Sequence, residues 1–329
     1  MRALLAVLLV ACSSTPEATP PDAAPGDGAP GDGAAAADAQ TQPDASADAP
    51  TTDGKACPNA ANTPGGSDGT GGCWPYAGNT GVPQGTTLGK YAGPCTLTTG
   101  TVLIDGKDAT ACGILAIKDA KVEIKNSIVP VIDRTVGSGS VDIHDSDARG
   151  PGWSGGVLWG SNVTARRVHV TGGQHSVHCE SNCTIEDCWL HDQEAPNGSA
   201  THNNAFISNG GSTMVVRHNS LFCSPKDNGA GGGCTADASV FGDFAPVVDV
   251  TFERNLFVAT PSGGYCGTFG HNPQKTYGAN PKNVAVTGNV FQRGPSTKCG
   301  VYGPATSFLA ANGNTFVNNR FDDGTAVTP

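Results

Sequence analysis

An eight-position pattern recurs eight times between Val122 and Phe321: apolar, any, apolar, two further residues, a small or amide anchor, any, apolar. The copies are Val122/Ile124/Ser127/Val129, Val141/Ile143/Ser146/Ala148, Val163/Ala165/Val168/Val170, Cys183/Ile185/Cys188/Leu190, Met214/Val216/Asn219/Leu221, Val250/Phe252/Asn255/Phe257, Val284/Val286/Asn289/Phe291 and Asn314/Phe316/Asn319/Phe321. Anchors lie 19 to 36 residues apart, a range in which one supersecondary unit buries its face by stacking on like neighbours. The period of two and the Val, Ile and Phe content make the unit extended rather than helical. The chain is therefore expected to be all-β, a parallel β-helix solenoid of about eight to ten coils, with its 46 glycines supplying turns.

Four successive anchors are Asn219, Asn255, Asn289 and Asn319. Stacked at roughly 4.8 Å per coil, each amide can donate to the next, which makes them structural rather than catalytic. Cys188 occupies the same position and is expected to be a buried, inert thiol.

The pattern resembles that of the right-handed parallel β-helix, or pectate-lyase-like, superfamily, particularly its secreted bacterial lipoproteins, over roughly residues 80–325. The resemblance implies a right-handed solenoid and a carbohydrate-active protein. It does not choose among the lyases, hydrolases, epimerases and adhesins that share the fold.

Arg2 and the apolar run from Ala3 to Ala11 read as an export signal, too short to span a bilayer. Leu9-Val10-Ala11-Cys12 resembles a bacterial lipobox, which implies lipidation of Cys12 and an outer-membrane or cell-surface lipoprotein. Residues 13–56 are rich in Pro, Ala, Asp, Gly, Thr and Ser without an aromatic residue and are expected to be a disordered tether. The expected organisation is signal 1–12, linker 13–56, N-terminal cap region 57–100 and β-helix 101–329. From Cys57 onward there are 21 acidic and 17 basic residues. No basic stripe points to nucleic acid and no second apolar run to a membrane span, so the lipid is the expected membrane contact. A monomer is expected.

Eleven cysteines follow Cys12, and export makes disulfides the default. Nearest-neighbour pairing gives Cys57–Cys73, Cys95–Cys112, Cys179–Cys183, Cys223–Cys234 and Cys266–Cys299, with Cys188 left over.

The later coils carry surplus residues, His191–Asn203, Cys223–Asp237 and Thr260–Pro281, which would stack into a wall if inserted at one phase. The strand beside them can be aligned by Val157, Val177, Phe206 and Val240 as inward residues. Alternation then gives outward columns Ser154/Gln174/Asn203/Asp237, Gly156/Ser176/Ala205/Ser239, Leu158/His178/Ile207/Phe241 and Gly160/Glu180/Asn209/Asp243. Two polar columns flanking a mixed pair suit a sugar-binding groove. Glu180 and Asp243 in one column, two coils apart, would be roughly 9–10 Å apart, near the separation of inverting glycosidases; Asn209 between them could orient substrate.

A lyase would instead need a base and a cation beside a uronate carboxylate. His178 is the candidate base, with His175, His191 and His202 around it, and Arg217, Lys226 and Lys275 could neutralise the acid. Tyr265, Tyr277, Tyr302, Trp153, Trp159 and Trp189 supply sugar-stacking surfaces. His175, His178 and His191 with Asp192 match no regular zinc spacing, so no metal site is assigned. Calcium remains open through Asp192, Glu194, Asp227 and Asp237. Asp187-Cys188-Trp189-Leu190-His191-Asp192 is similar to the Trp-Ile-Asp-His segment of pectate lyases, mostly through the coil pattern itself. The expected partner is an extracellular polysaccharide. Lyase action on an acidic polysaccharide comes first on resemblance; an inverting hydrolase and a non-catalytic glycan binder or adhesin stand beside it.

Overall fold

A computed structural model describes residues 56–329; the segment expected to be an export signal, Cys12 and the expected linker apart from residue 56 lie outside the described residues. The chain forms a parallel β-helix with three sheets of nine, ten and nine strands. Sheet 1 runs from Thr101–Asp105 to Thr315–Val317, sheet 2 from Gly89–Lys90 to Arg320–Phe321 and sheet 3 from Thr96–Leu97 to Gly303–Thr306. In each coil the chain passes from sheet 1 to sheet 2 to sheet 3. Ladders between these strands pair in parallel; Val122, Val141, Val163, Cys183, Met214, Val250 and Val284 form one inward file.

The eight-position pattern spans two strands and the corner between sheets 1 and 2. Its first two apolar residues face inward from sheet 1, the anchor sits at the bend, and the last apolar residue faces inward from sheet 2. The residue just before each anchor turns the chain in a left-handed conformation: Asn126, Asp145, Arg167, Asp187, His218, Arg254, Gly288 and Asn318 all have φ between 49° and 66°. Only Gly adopts this freely, with Asn and Asp the least disfavoured of the others; Arg167 is tied by its side chain to Asp145, and His218 and Arg254 are held there by the ladder at the anchors that follow them. That ladder is the expected amide stack. Asn219 Nδ2 donates to Asn255 Oδ1 (3.0 Å), Asn255 Nδ2 to Asn289 Oδ1 (3.0 Å) and Asn289 Nδ2 to Asn319 Oδ1 (2.9 Å). Cys188 extends it, its backbone N–H donating to Asn219 Oδ1 (2.8 Å); burial pushes its thiol up to about 12.

The core is aliphatic in the early coils and aromatic in the later ones, where Phe257 and Phe291 stack at 4.4 Å and Phe206, Phe252 and Phe269 meet edge to face. One inward position is cationic. Arg134 is 2 % exposed, and its guanidinium donates to the carbonyls of Ile117, Lys118, Val136, Gly137 and Ser161, closing the corner between sheets 3 and 1. Gly160 makes room for it: a Cβ there would lie 2.3 Å from the Arg134 backbone. All five expected disulfides form and Cys188 is free, which suits an oxidising compartment.

The region expected as an N-terminal cap has two parts. Gly89–Lys90 and Thr96–Leu97 begin the first coil. Residues 57–81 form a strap lying lengthwise on the outer face of sheet 2. At one end Asn62 bonds to the carbonyl of Asp322 (3.1 Å) and accepts from Gln292 (2.7 Å); at the other, the Gly81 N–H donates to the carbonyl of Arg167 (2.9 Å). Midway, Trp74 is 2 % exposed and buries Leu256 and Val290.

Beside Trp74 the strap is latched electrostatically. His218 holds Asp187 through Nδ1 (2.5 Å) and strap residue Asp68 through Nε2 (3.1 Å), and its ring stacks on Trp74 at 5.3 Å. Burial works against a charged His218, yet Asp187 and Asp68 raise its pKa overall. Burial likewise opposes ionisation of Asp68, but His218, Thr70 and the Gly72 N–H hold its carboxyl well below the usual range. A raised histidine contributes stability that is complete below its unfolded value, about 6.5, and is lost as pH rises through the folded value. A depressed carboxylate contributes above its unfolded value, about 3.9, and loses that only in strong acid. Both contributions coexist in mildly acidic solution. Denaturation at pH 5.5 and 9 should therefore show the wild type weaker at the higher pH and His218→Gln nearly level between them; an equal pH dependence in the variant would rule out this latch.

Candidate functional site

Sheet 3 faces outward with the most chemically varied side chains, and its register differs from the one expected. Leu158, not Val157, aligns with Val177 and Phe206, and Phe206 aligns with Ala238, not Val240. Two causes act. Val157 and Leu158 are adjacent apolar residues, so alternation cannot choose between them, and Val157 turns into the corner near Gly150 and Gly173. Further on, a register shift between Asn203 and Asn204 displaces the strand Gly233–Val240.

The corrected outward file is Asp133, Trp159, His178, Ile207, Ser239 and Thr268. Trp159 and His178 are stacked nearly parallel, 9° apart with centroids at 5.5 Å. Trp153 meets Trp159 edge-on at 6.2 Å, and His175 meets His178 edge-on at 5.8 Å. Gly155 permits this cluster, because a Cβ would stand 2.7 Å from the Trp159 ring and 2.8 Å from Trp153 Nε1. Asn209 Nδ2 lies 3.4 Å from His178 Nε2. Burial drives His178 down to about 4, and burial plus the neighbouring His178 drives His175 down to about 3, so both are neutral at pH 7.

Continuing the register puts Glu180 opposite Asn209, as expected, but Phe241 and not Asp243 follows. Asp243 lies two residues further on and is paired with Lys275 (2.6 Å), whose ammonium also sits over the Phe241 ring. The proposed Glu180–Asp243 column therefore does not form. Glu180 has a different acidic neighbour: burial first, then the nearby Asp133 carboxyl, raise its pKa against the pull of Arg134.

Other candidates fall elsewhere. Asn203 and Asp237 are fully buried and cannot meet a polysaccharide. Asn203 Nδ2 bridges the carbonyls of Gln174 and Glu194; Asp237 Oδ1 accepts from the Cys223 N–H (2.7 Å). Burial, opposed by that bond, raises Asp237 well above the usual range. Ser176 and Ala205 are buried as well, Ser176 accepting a hydrogen bond from Gln193 of a corner insertion (2.7 Å). Gln174 bonds to the carbonyl of exposed His202 (2.9 Å). Arg217 is on sheet 1, paired with Glu186 (2.7 Å) and turned away from His178. Tyr265 packs on Tyr302 at 5.9 Å, and Lys226 stands in a corner insertion.

The insertion wall needs one correction. Segments 192–201, 222–232, 258–264 and 292–302 do enter between sheets 2 and 3, but 270–281 enters between sheets 3 and 1. The expected calcium oxygens do not converge. Asp192 pairs with His191, Glu194 accepts from the Gly152 N–H, Asp227 accepts from the Gly229 N–H, and Asp237 is buried. Among the described residues, Asp237, Cys266 and Cys299 cluster closely, but both cysteines are in one disulfide. A hollow of about 350 Å³ on sheet 1, lined by Glu123, Asp142, Asn162, Thr164 and Thr184, has no aromatic wall.

No protein-family model, curated protein or solved structure matches the chain. The chemistry of sheet 3 has to be read from its own geometry. Trp159 and Asp133 were the residues missed as partners of His178 and Glu180. The signal for Trp159 was present, a tryptophan one position after an inward leucine, but it required the correct register.

Proposed function

We propose that this protein is an exported, lipid-anchored β-helix that engages extracellular polysaccharide across sheet 3. The observation that carries this is the Trp159–His178 stack on an outward file, flanked by Asp133, Glu180 and Asn209. An apolar ring edge beside polar groups of mixed hydrogen-bonding type is what a sugar presents a match for: C–H faces against aromatic carbon, hydroxyls against carboxyl and amide. Beyond His178 the file continues into buried Ile207, Ser239 and Thr268, so the open contact surface is concentrated at Trp159 and His178. Trp159→Ala should weaken binding to a retained polysaccharide about tenfold, as loss of about 1.4 kcal/mol of stacking implies, while exposed His202→Ala leaves it unchanged. Equal affinity of wild type and Trp159→Ala across a panel of acidic and neutral polysaccharides would remove sheet 3 as the binding face.

A hydrolytic activity is favoured by a specific observation, the raised Glu180 beside Asp133. A carboxyl whose pKa is raised is biased toward the protonated form that a general acid needs at the glycosidic oxygen, while a second carboxylate can activate water. Glu180→Gln should then cut reducing-end release by about 100-fold or more without loss of binding. Elimination, which the resemblance puts first, draws less support. A histidine pushed down to about 4 is a weak base, and nearby Lys275 and Arg134 are already engaged by Asp243 and by carbonyls. It would be recognised by ultraviolet absorbance of an unsaturated product that disappears in His178→Ala.

A further inference from the structure

A second histidine cluster lies on the outer face of sheet 2, away from sheet 3. His169 begins the strand His169–Gly172 and His191 ends the neighbouring strand Trp189–His191; the register pairs His169 with Trp189 and Thr171 with His191. The two imidazoles are therefore diagonal neighbours, and their Nε2 atoms approach to 2.6 Å. Each ring is fixed from behind. His191 Nδ1 lies 3.0 Å from Asp192 Oδ2, and His169 Nδ1 lies 3.5 Å from Asp147 Oδ1. The Trp189 ring stacks on His191 at 4.2 Å and limits its rotation.

This arrangement has an electrostatic consequence. A carboxylate behind Nδ1 stabilises the tautomer that carries its proton there, leaving Nε2 as a bare lone pair. Two such lone pairs facing each other at hydrogen-bond distance repel unless something positive lies between or beside them. Carboxylate–histidine pairs aimed at a common point are also how proteins orient imidazoles toward a metal. Both side chains remain partly open to solvent, at 23 % and 13 %, so further positions can be filled by water or an incoming ligand.

We propose that His169 and His191 form a binding site for a late first-row divalent cation of the kind imidazole prefers, Zn²⁺ or Cu²⁺. Two nitrogens each about 2.0–2.1 Å from one zinc stand about 3.3 Å apart in tetrahedral geometry; the rings lie head-on with centroids 4.9 Å apart, so they need to separate by less than about 1 Å and tilt toward a common point. With two protein ligands and the rest solvent, the site is an exchangeable one and not a closed structural centre. Asp192 and Asp147 act as positioning residues behind the ligands.

The test uses the full-length protein, stripped with chelator and desalted, titrated calorimetrically with zinc chloride alone; with Cu²⁺, paramagnetic resonance should show coupling to imidazole nitrogen. His169→Gln and His191→Gln should each weaken binding by about 100-fold or more, and Asp192→Asn, which keeps both rings, by about 10–100-fold. His202→Gln should have no effect. Far-ultraviolet circular dichroism checks that each variant is folded, and Asp192→Asn decides the matter if a histidine variant is not. Absence of saturable Zn²⁺ and Cu²⁺ binding would mean that the two rings share only a proton, and binding unchanged in the histidine variants, or in Asp192→Asn, would place the metal elsewhere; either result overturns the proposal.

Discussion

Asn255→Ala is expected to lower the unfolding free energy by about 3–5 kcal/mol, far more than deletion of a surface amide. Asn255 is fully buried at the corner between sheets 1 and 2 and serves four partners. Its Nδ2 donates to Asn289 Oδ1 and to the carbonyl of Val216, while its Oδ1 accepts from both the backbone N–H and the Nδ2 of Asn219. Removing the amide strands the Asn219 N–H and the Val216 carbonyl in a dry corner, at about 1–3 kcal/mol each, and leaves a small cavity besides. The two neighbouring coils lose their common tie at the same time, so the damage is not confined to one turn. A useful contrast is Gln174→Ala. Gln174 Nε2 donates to the His202 carbonyl at 2.9 Å, but that bond is exposed, and water can replace it at a cost of about 1 kcal/mol or less. Urea denaturation of both variants measures the difference. A loss below about 1 kcal/mol for Asn255→Ala would mean that the ladder relaxes around the gap, contrary to the close packing that its position in the core implies.

Trp74→Ala should release the strap, lowering its opening free energy by about 3–5 kcal/mol. Leu256 and Val290 occupy outward positions of sheet 2 and are kept dry only because Trp74 covers them. The substitution removes that cover and the aromatic partner of His218 together. Because the strap folds against coils that are complete without it, the effect should be local. Hydrogen exchange of the Gly65 and Trp74 N–H groups, which pair with the carbonyls of Trp74 and Gly66, should accelerate strongly, whereas amides of sheet 1 stay protected. Unaltered exchange in the strap would show that the Cys57–Cys73 disulfide and the bonds of Asn62 and Gly81 suffice to hold it.

Legibility in the sequence varied with the range of the interaction. The inward residues of sheets 1 and 2, the asparagine ladder, the buried Cys188 and the five disulfides could be read because each depends on alternation along one strand or on short separations. Sheet 3 was harder. Val157 and Leu158 both look inward, and a two-residue slip between Val240 and Ala238 preserves the same alternation, so the pattern cannot detect it. That slip removed Asp243 from the Glu180 column, and the one-residue shift at Val157 and Leu158 put Trp159 in place of Leu158 beside His178. The strap leaves a mark in the sequence as well: Leu256 and Val290 are apolar at positions that the repeat assigns to the outside, which implies that something covers them.

What the amino-acid order determined by itself was the coil: the period-two pattern and the amide anchors leave a stacked parallel sheet as the arrangement that buries the apolar file and satisfies the corner amides. What only the tertiary structure decided was which outward residues of neighbouring coils lie side by side, and where residues 57–81 run. Facing in or out is fixed by the chirality and pleat of a single strand. Lateral register is set by corner lengths, a bulge and the fit of distant surfaces, and those exist only once the coils have packed.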